Sequence, residues 1–463
     1  MALSGAEAKG LAESMIGSVN SEFDRHSRGG RVARYLAGDH DLPYTPPSAN
    51  TEFRTLAKRS VTNWLPLISD TFAKGLFVDG YRPAKASENA APWRYWQENG
   101  LDARQTIAHR GALEYGVSYV LVLPGTNGPS IRPLNPTRSL ALYEEDEDEF
   151  PYAAILRAGN ARGGGSLWRL FDDEAVYTFM LKDGSLELTG TEIHGLGVTP
   201  FVRFRDRLDG QARGIIEPLI PIQDRVNESV FSMLVALQYA SFRQRWATGL
   251  AIPLDENEFL ADGVTANPNF GKPIEPFEAA VNRLWVSDSP DAKFGDFAQT
   301  DVSGHLNTYK STVQSLAAIA QTPPHVLLGD LVNLSADALA AAEASTQRKG
   351  AEYETLFGES WEQVLRLAAA ADGDEEGAAD TSAQVRWRDT EARSLAQTVD
   401  ALGKMVQMLA VPAEAAWERI PGVTDQDVER WKEMRNSGDS ISALAEALTR
   451  QTEGPMTAQA PTV

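Results

Sequence analysis

Apolar residues spaced three and four apart mark the helices of this 463-residue chain, and the clearest such pattern lies late in it. Val302, Leu306, Tyr309, Val313, Leu316 and Ala320 repeat with the helical period. Pro323 and Pro324 then remove two backbone donors and hold Thr322 away from helical geometry, so the helix stops there. Ser335 stands where an N-cap should, with Asp337 in the first turn facing the positive helix end. From Ala336 to Ala371 the chain is rich in Ala, Glu and Leu, which predicts one long helix of roughly 50 Å at 1.5 Å per residue. Few compact domains need a helix of that length.

Earlier in the chain, residues 1–37 pattern as helix, with Arg25, Arg28, Arg31 and Arg34 at steps of three. That stripe reads as a solvated face; contact with phosphate is the alternative. Gly38, Pro43, Pro46 and Pro47 break the pattern. His40 lies between Asp39 and Asp41 in what reads as an exposed turn, with no second histidine to complete a metal site. Residues 52–74 read as a helix with Val61, Trp64, Leu65, Ile68 and Phe72 as its stripe, and 102–115 as another, stopped by Gly116. SYVLVLPG is a buried strand, and 131–207 is a series of short strands with a hairpin signal at Lys182-Asp183-Gly184.

Gly214 to Gly249 reads as one helix, uncharged from Ser229 to Phe242. A helix apolar on most sides needs neighbours on most sides. Residues 250–300 carry five prolines and form an irregular excursion between this helix and the one from Val302. After the long helix come an acidic, Gly-bearing loop over 372–381, a strand QVRWRD, several short helices, and the low-complexity tail 451–463.

Charge and composition narrow the chemistry. The net charge of −21 argues against an ordinary DNA-binding footprint, yet suits a wall past which a polyanion slides. Cysteine is absent, which removes disulfides and thiolate metal sites. No apolar run reaches the ~20 residues that cross a bilayer, and MALSGAEAKG lacks the basic and apolar regions of a signal peptide. The run Glu144–Glu149 offers paired carboxylates for a metal or for acid–base work. Metal loops space their ligands and insert glycine, whereas an unbroken run repels itself, so it reads as a solvated loop. No phosphate loop, GxSxG or HExxH occurs, and His26, His40, His109, His194, His305 and His325 show no ligand spacing. No cofactor, metal site or catalytic residue is expected.

The order of motifs along the chain resembles the portal proteins of tailed, siphophage-type bacteriophages, the head–tail connectors. YLAGDHDLP, VTNWLPLISDTFAKGLFVDGYR, WRYWQENGLDARQTIAHRGALEYGVSYVLV and GVTPFVRFRDR match family segments in order. The most specific stretch is AQTPPHVLLGDLVNLSADALAAAEASTQRKGAEYETLFGESWEQVLRLA, followed by RWRDTEARSLAQTVDALGKM and IPGVTDQD. The resemblance covers nearly all of the chain up to about Asn436.

The resemblance implies an α+β portal-type fold. Its parts would be a mixed α/β wing over 1–214, a stem helix over 215–249, a small α/β clip over 250–301 and a second stem helix over 302–321. A tunnel loop over 322–335, the long kinked helix with its return to the wing over 336–390, and a helical crown over 391–450 would complete it. It further implies a closed ring of about twelve identical subunits at one capsid vertex of the virion, assembled in the host bacterial cytoplasm. Double-stranded DNA would pass through without sequence-specific contact during packaging and ejection. The terminase large subunit, a head-completion or adaptor protein, and capsid and scaffolding proteins would dock on the ring; no membrane is involved, and the chain would not be an enzyme. Within the tunnel loop, Pro323, Pro324, His325, Val326, Leu327, Leu328, Gly329, Asp330, Leu331, Val332 and Asn333 would face DNA. Val230, Leu234, Leu237, Leu306, Tyr309, Val313 and Leu316 would join neighbouring stems. A scaffold or adaptor without a ring, and a metal-assisted hydrolase using Glu144–Glu149, are the alternatives.

Overall fold

The computed structural model describes residues 2–47, 51–83, 91–161, 164–241, 245–249, 254–260, 263–273, 291, 293–296, 302–329, 336–388, 395–417, 419–420, 423, 427–428 and 430–435. The predicted 52–74 helix is two helices, and the end of the expected crown, from 436, and the tail lie outside the described residues. The chain opens with α1 (Gly5–Glu22) and α2 (Arg28–Leu36), followed by α3 (Thr51–Arg59) and α4 (Leu65–Gly75). The break between the last two falls over Ser60–Trp64, and α4 restarts with Pro66 in its first turn, where a missing donor does little harm.

Next come β1 (Val78–Arg82), α5 (Ala91–Glu98), α6 (Leu101–Tyr115) and β2 (Val117–Leu123). The strands β3 (Ser130–Leu134), β4 (Ser139–Leu142), β5 (Ala153–Asn160), β6 (Ser166–Phe171), β7 (Ala175–Lys182), β8 (Ser185–Ile193) and β9 (Phe201–Arg205) follow. Then α7 (Ile220–Ser241), β10 (Arg245–Thr248), β11 (Lys293–Asp296), α8 (Ser303–Ala320) and α9 (Pro324–Leu328) lead to the long α10 (Ala336–Asp372). The last elements are α11 (Glu375–Ala379), β12 (Gln384–Trp387), α12 (Leu395–Leu409) and α13 (Ala413–Trp417).

These elements form two compact units, one of Met1–Ala37, Trp64–Ile220 and Ala318–Val463, the other of Gly38–Asn63 and Pro221–Ala317. Residues Gly38–Asn63, placed in the first 214-residue region by sequence, thus group with the body of α7 and α8.

In the first unit β4-β5-β6-β7-β8 make an antiparallel sheet, and β3-β2-β9 a second one. The β7–β8 hairpin turns through Asp183 and Gly184, both at positive φ, as the Asp-Gly signal predicts. Ser4 and Glu7 close a capping box on α1. One face of α1 then lays Ala8, Ala12, Met15, Ile16 and Val19 against Ile155, Trp168, Leu170, Tyr177 and Phe179. Between the two sheets Tyr119, Leu121, Ala154, Phe171, Val176 and Phe201 form another apolar layer.

The half of α10 that follows Tyr353 anchors the third core. Phe357 stacks on His109 of α6 at 5.5 Å, and Trp361 meets Trp96 edge-on at 4.8 Å and Phe204 at 4.9 Å. Trp361 donates its indole hydrogen to His109 Nε2 at 2.8 Å, so Nε2 carries no proton and Nδ1 donates to the Leu76 carbonyl at 3.2 Å. Burial holds the pKa of this imidazole down to about 3. β12 pairs with β1 beside this cluster, and Glu362 accepts from the Val385 amide.

The lead into α7 is fixed at backbone scale. Asp206 N donates to Gly116 O at 3.0 Å, Gly214 N donates to the Asp206 carboxylate at 3.0 Å, and Ile215 N donates to Leu113 O at 2.7 Å. Gly116 (φ +90°) and Gly214 (φ +73°) make this possible. A Cβ on Gly116 would lie 2.5 Å from Arg213 N, and one on Gly214 2.6 Å from Glu114 O.

Candidate functional site

Two helices of the second unit carry the residues singled out as a stem. α7 begins at Ile220 and ends at Ser241, shorter at both ends than the predicted 214–249. At its front, Pro218 falls in a separate 3₁₀ turn; at its back, residues 245–248 extend into β10, which pairs antiparallel with β11. That pairing closes the proline-rich excursion at its base. Within 254–273, Leu254 bridges Pro273 and Phe259 bridges Ala266.

A buried polar network ties α7 to the segment before α4. Asn227 Oδ1 accepts from Thr62 N at 3.1 Å and from Gln223 Nε2 at 3.1 Å, and its Nδ2 reaches His40 Nδ1 at 2.9 Å. Gln223 Nε2 also donates to Thr62 O at 2.7 Å. His40 is therefore buried, not part of an exposed turn, because α7 supplies its ring with a partner. Phe53 of α3 meets Phe231 edge-on at 6.4 Å.

The proposed contact residues divide by burial. Leu237 and Leu306 are 41% and 45% exposed; Val230, Leu234 and Tyr309 are half-buried; Val313 and Leu316 are fully buried within the chain. A cleft of about 350 Å³ lies between α7 and α8, lined by Arg225, Glu228, Ser229, Ser232, His305, Thr308 and Thr312. The hydroxyls of Ser229, Thr308 and Thr312 bond back to their own helices, which leaves the cleft polar without unmet donors from these groups.

The predicted tunnel loop starts differently from expectation. Gln321, at φ +56°, ends α8, and the Thr346 hydroxyl donates to its carbonyl at 2.6 Å. Residues 324–328 then make a helical turn, α9, because Pro324 fits its first position and Gly329 (φ +69°) closes it. Pro323 and Leu327 are buried in the chain; His325, Val326 and Leu328 are half-buried, and Pro324 and Gly329 are exposed. Asp330, Leu331, Val332 and Asn333 lie outside the described residues.

The acidic run also differs from a free solvated loop. Most of it is exposed, but Arg203 Nη2 donates to Asp146 O at 2.6 Å and Gln363 Nε2 to Glu149 O at 2.8 Å. Arg366 lies 3.6 Å from Glu149. Among the described residues no group of three or more His, Asp or Glu is arranged to hold a metal ion, and no helix is long and apolar enough to cross a membrane.

The acids are distributed unevenly along the chain. The chain holds 64 Asp and Glu, yet none falls between Ser229 and Leu254 or between Val302 and Gly329. These two carboxylate-free spans take in the second half of α7 and all of α8 and α9. Counting acids in a sliding window would have found them.

The family model described as phage portal protein, SPP1 Gp6-like, matches residues 20–440. The portal proteins of Mycobacterium phages D29 and L5 are each 24% identical, over 358 and 353 residues; each alignment covers 73% of this chain and 71% of the relative. Among solved structures, a chain from the neck of an empty gene transfer agent particle, computed with C6 symmetry, aligns at a TM-score of 0.45. A chain from the native gene transfer agent virion aligns at 0.39. Both are 14% identical, over 83% of this chain and 99% of theirs.

Proposed function

The chain belongs to the SPP1 Gp6-like family of phage portal proteins, and from that premise we propose that about twelve copies close into a ring around a DNA channel. The ring stands at one capsid vertex. It serves as the passage for genome packaging and ejection and as the platform for the terminase motor, then for head-completion proteins. It is assembled in the host cytoplasm with capsid and scaffolding proteins. The chain itself hydrolyses no nucleotide; force comes from the docked motor.

The observation that carries this reading is the pair of carboxylate-free spans in a chain of net charge −21. The net negative charge keeps DNA from sticking to the protein as a whole, while in these spans the missing acids ease local repulsion and the few cations leave phosphate unheld. α8 carries one lysine, Lys310, and one histidine, His305, over its whole length. The half-covered apolar side chains Val230, Leu234, Leu237, Leu306 and Tyr309 then supply the contact between neighbouring copies. Val313 and Leu316 hold α8 to its own protomer.

At the α9 turn, Leu327 packs within the chain, so the DNA-facing role falls to Pro324, His325, Val326, Leu328, Gly329 and the residues after them. A short apolar collar of this kind neither binds phosphate nor repels it strongly.

Light scattering with negative-stain imaging tests the assembly: rings with a central hole are expected at micromolar concentration and physiological salt, and a monomer there overturns it. Replacing Val326 and Leu328 with Gly in intact rings is expected to impair DNA packaging or retention in a complementation assay. Normal values for both would take the turn out of the mechanism.

A further inference from the structure

Arg203 and Arg205 stand two residues apart on β9, so their side chains leave the same face of the sheet. Arg203 is only 13% exposed along its side chain and lies over the Tyr143 ring, its guanidinium carbon 3.7 Å from the ring centre. The Tyr143 hydroxyl is shut off from solvent and has no hydrogen-bond partner among the described residues. Arg205 is half-buried; its backbone pairs with Val117, but its guanidinium makes no hydrogen bond or close ion pair among them. Burial and the like charge of Arg203 lower its pKa. Two guanidiniums this close repel each other, and their donors are mostly unspent.

What covers them is the acidic run, and it covers them loosely. The Asp146 carboxylate stays 4.0 Å from Arg203 and is 82% exposed; the bond that holds is from Arg203 to the Asp146 backbone carbonyl. At the other end Glu149 is 61% exposed at 3.6 Å from Arg366, and again the short bond, from Gln363, goes to a backbone carbonyl. With the carboxylate ends in solvent at such distances, these attractions are weakened and screened by salt. Six adjacent acids also repel one another.

We propose that Tyr143, Arg203 and Arg205 form a cleft for a phosphate-type oxyanion and that the run Glu144–Glu149 is a displaceable strap that competes for it. The donor set selects this class. Two fixed positive charges match a dianion, and two guanidinium forks with one phenolic hydroxyl suit a tetrahedral group with more than two oxygens. The strap carries carboxylates on flexible stems, of which none reaches the forks at hydrogen-bond distance. Displacing it therefore gives up two backbone bonds and a screened attraction.

The experiment uses the full-length protein and titration calorimetry with inorganic phosphate, chloride serving as the ionic-strength control. The strap variant Asp146→Asn/Glu147→Gln/Glu149→Gln is expected to bind phosphate at least about tenfold more tightly than the wild type. Adding Arg205→Gln should abolish that binding, and adding Arg205→Lys, which keeps charge but loses the fork, should leave it weakened. A parallel arm with adenosine monophosphate separates a phosphate ester, bound more tightly, from free phosphate, bound equally well. Strap and wild-type proteins with the same affinity, or undiminished binding in Arg205→Gln, would overturn the proposal. Circular dichroism establishes that each variant is folded, and if Arg205→Gln is not, the Arg205→Lys result decides. The portal reading rests on other residues and survives failure here.

Discussion

The aromatic core around His109 and the two helices α7 and α8 follow opposite rules. In the first, Trp96, Phe357 and Trp361 are completely covered, and even the His109 imidazole has both nitrogens bonded. In the second, Leu237 and Leu306 remain nearly half exposed, and Val230, Leu234 and Tyr309 are only partly covered. Scattered exposed leucines are ordinary in a folded chain. Here they lie on helices that carry no carboxylate over long spans, beside exposed polar residues such as Asn307, Lys310 and Gln314. One region is finished by the chain itself; the other leaves apolar side chains partly uncovered, as the proposed ring contact requires.

The contrast breaks most sharply at Trp361. Trp361→Ala empties the core against Trp96 and Phe204 and leaves His109 Nε2 without its donor, with an expected loss of about 3–5 kcal/mol in chemical denaturation. Acid should probe the same core. The imidazole is neutral in the folded protein down to about pH 3, whereas the unfolded chain takes up the proton near pH 6.5. Stability from this group is thus complete above pH 6.5 and falls by about 1.4 kcal/mol per unit as the pH drops toward 3. Denaturation midpoints between pH 7 and 4 measure it, and His109→Gln should lose this acid limb.

Gly116→Ala is expected to cost roughly 1–3 kcal/mol from the positive φ alone, before the close approach to Arg213 N is counted. Thermal melts of the isolated protomer would register it. The smallest effect on the protomer should come from Leu234→Asp. At a half-buried site the change is expected to stay near 1 kcal/mol or below, while rings disappear by light scattering because a charge at a subunit contact goes unpaired. A large loss of protomer stability would assign Leu234 to the finished region instead.

Much of the fold was legible where a local rule decides it. The stop at Pro323-Pro324, the Asp-Gly hairpin and the long helix, found at Ala336–Asp372, each follow from residues within one turn of one another. The buried partners were not legible. His109 and Trp361 are 252 positions apart, and His40 and Asn227 are 187 apart, so neither spacing nor periodicity brings them together. The α9 turn is hidden for a subtler reason. A double proline ends the preceding helix, but its second member is also a good first residue of the next, so the same two residues signal a stop and a restart. The acidic run's self-repulsion is visible in sequence, but the arginines that β9 and α10 bring to it are not.

Gly116 and Gly214 also divide substitution from insertion. The segment from Asp206 to Ile215 is bonded at both ends to the turn around Gly116, and main-chain atoms fill the inner side of both glycines, while residues 207–211 between them face solvent. Added residues should therefore be accepted on the solvent side of this linker, whereas a side chain at either glycine should not.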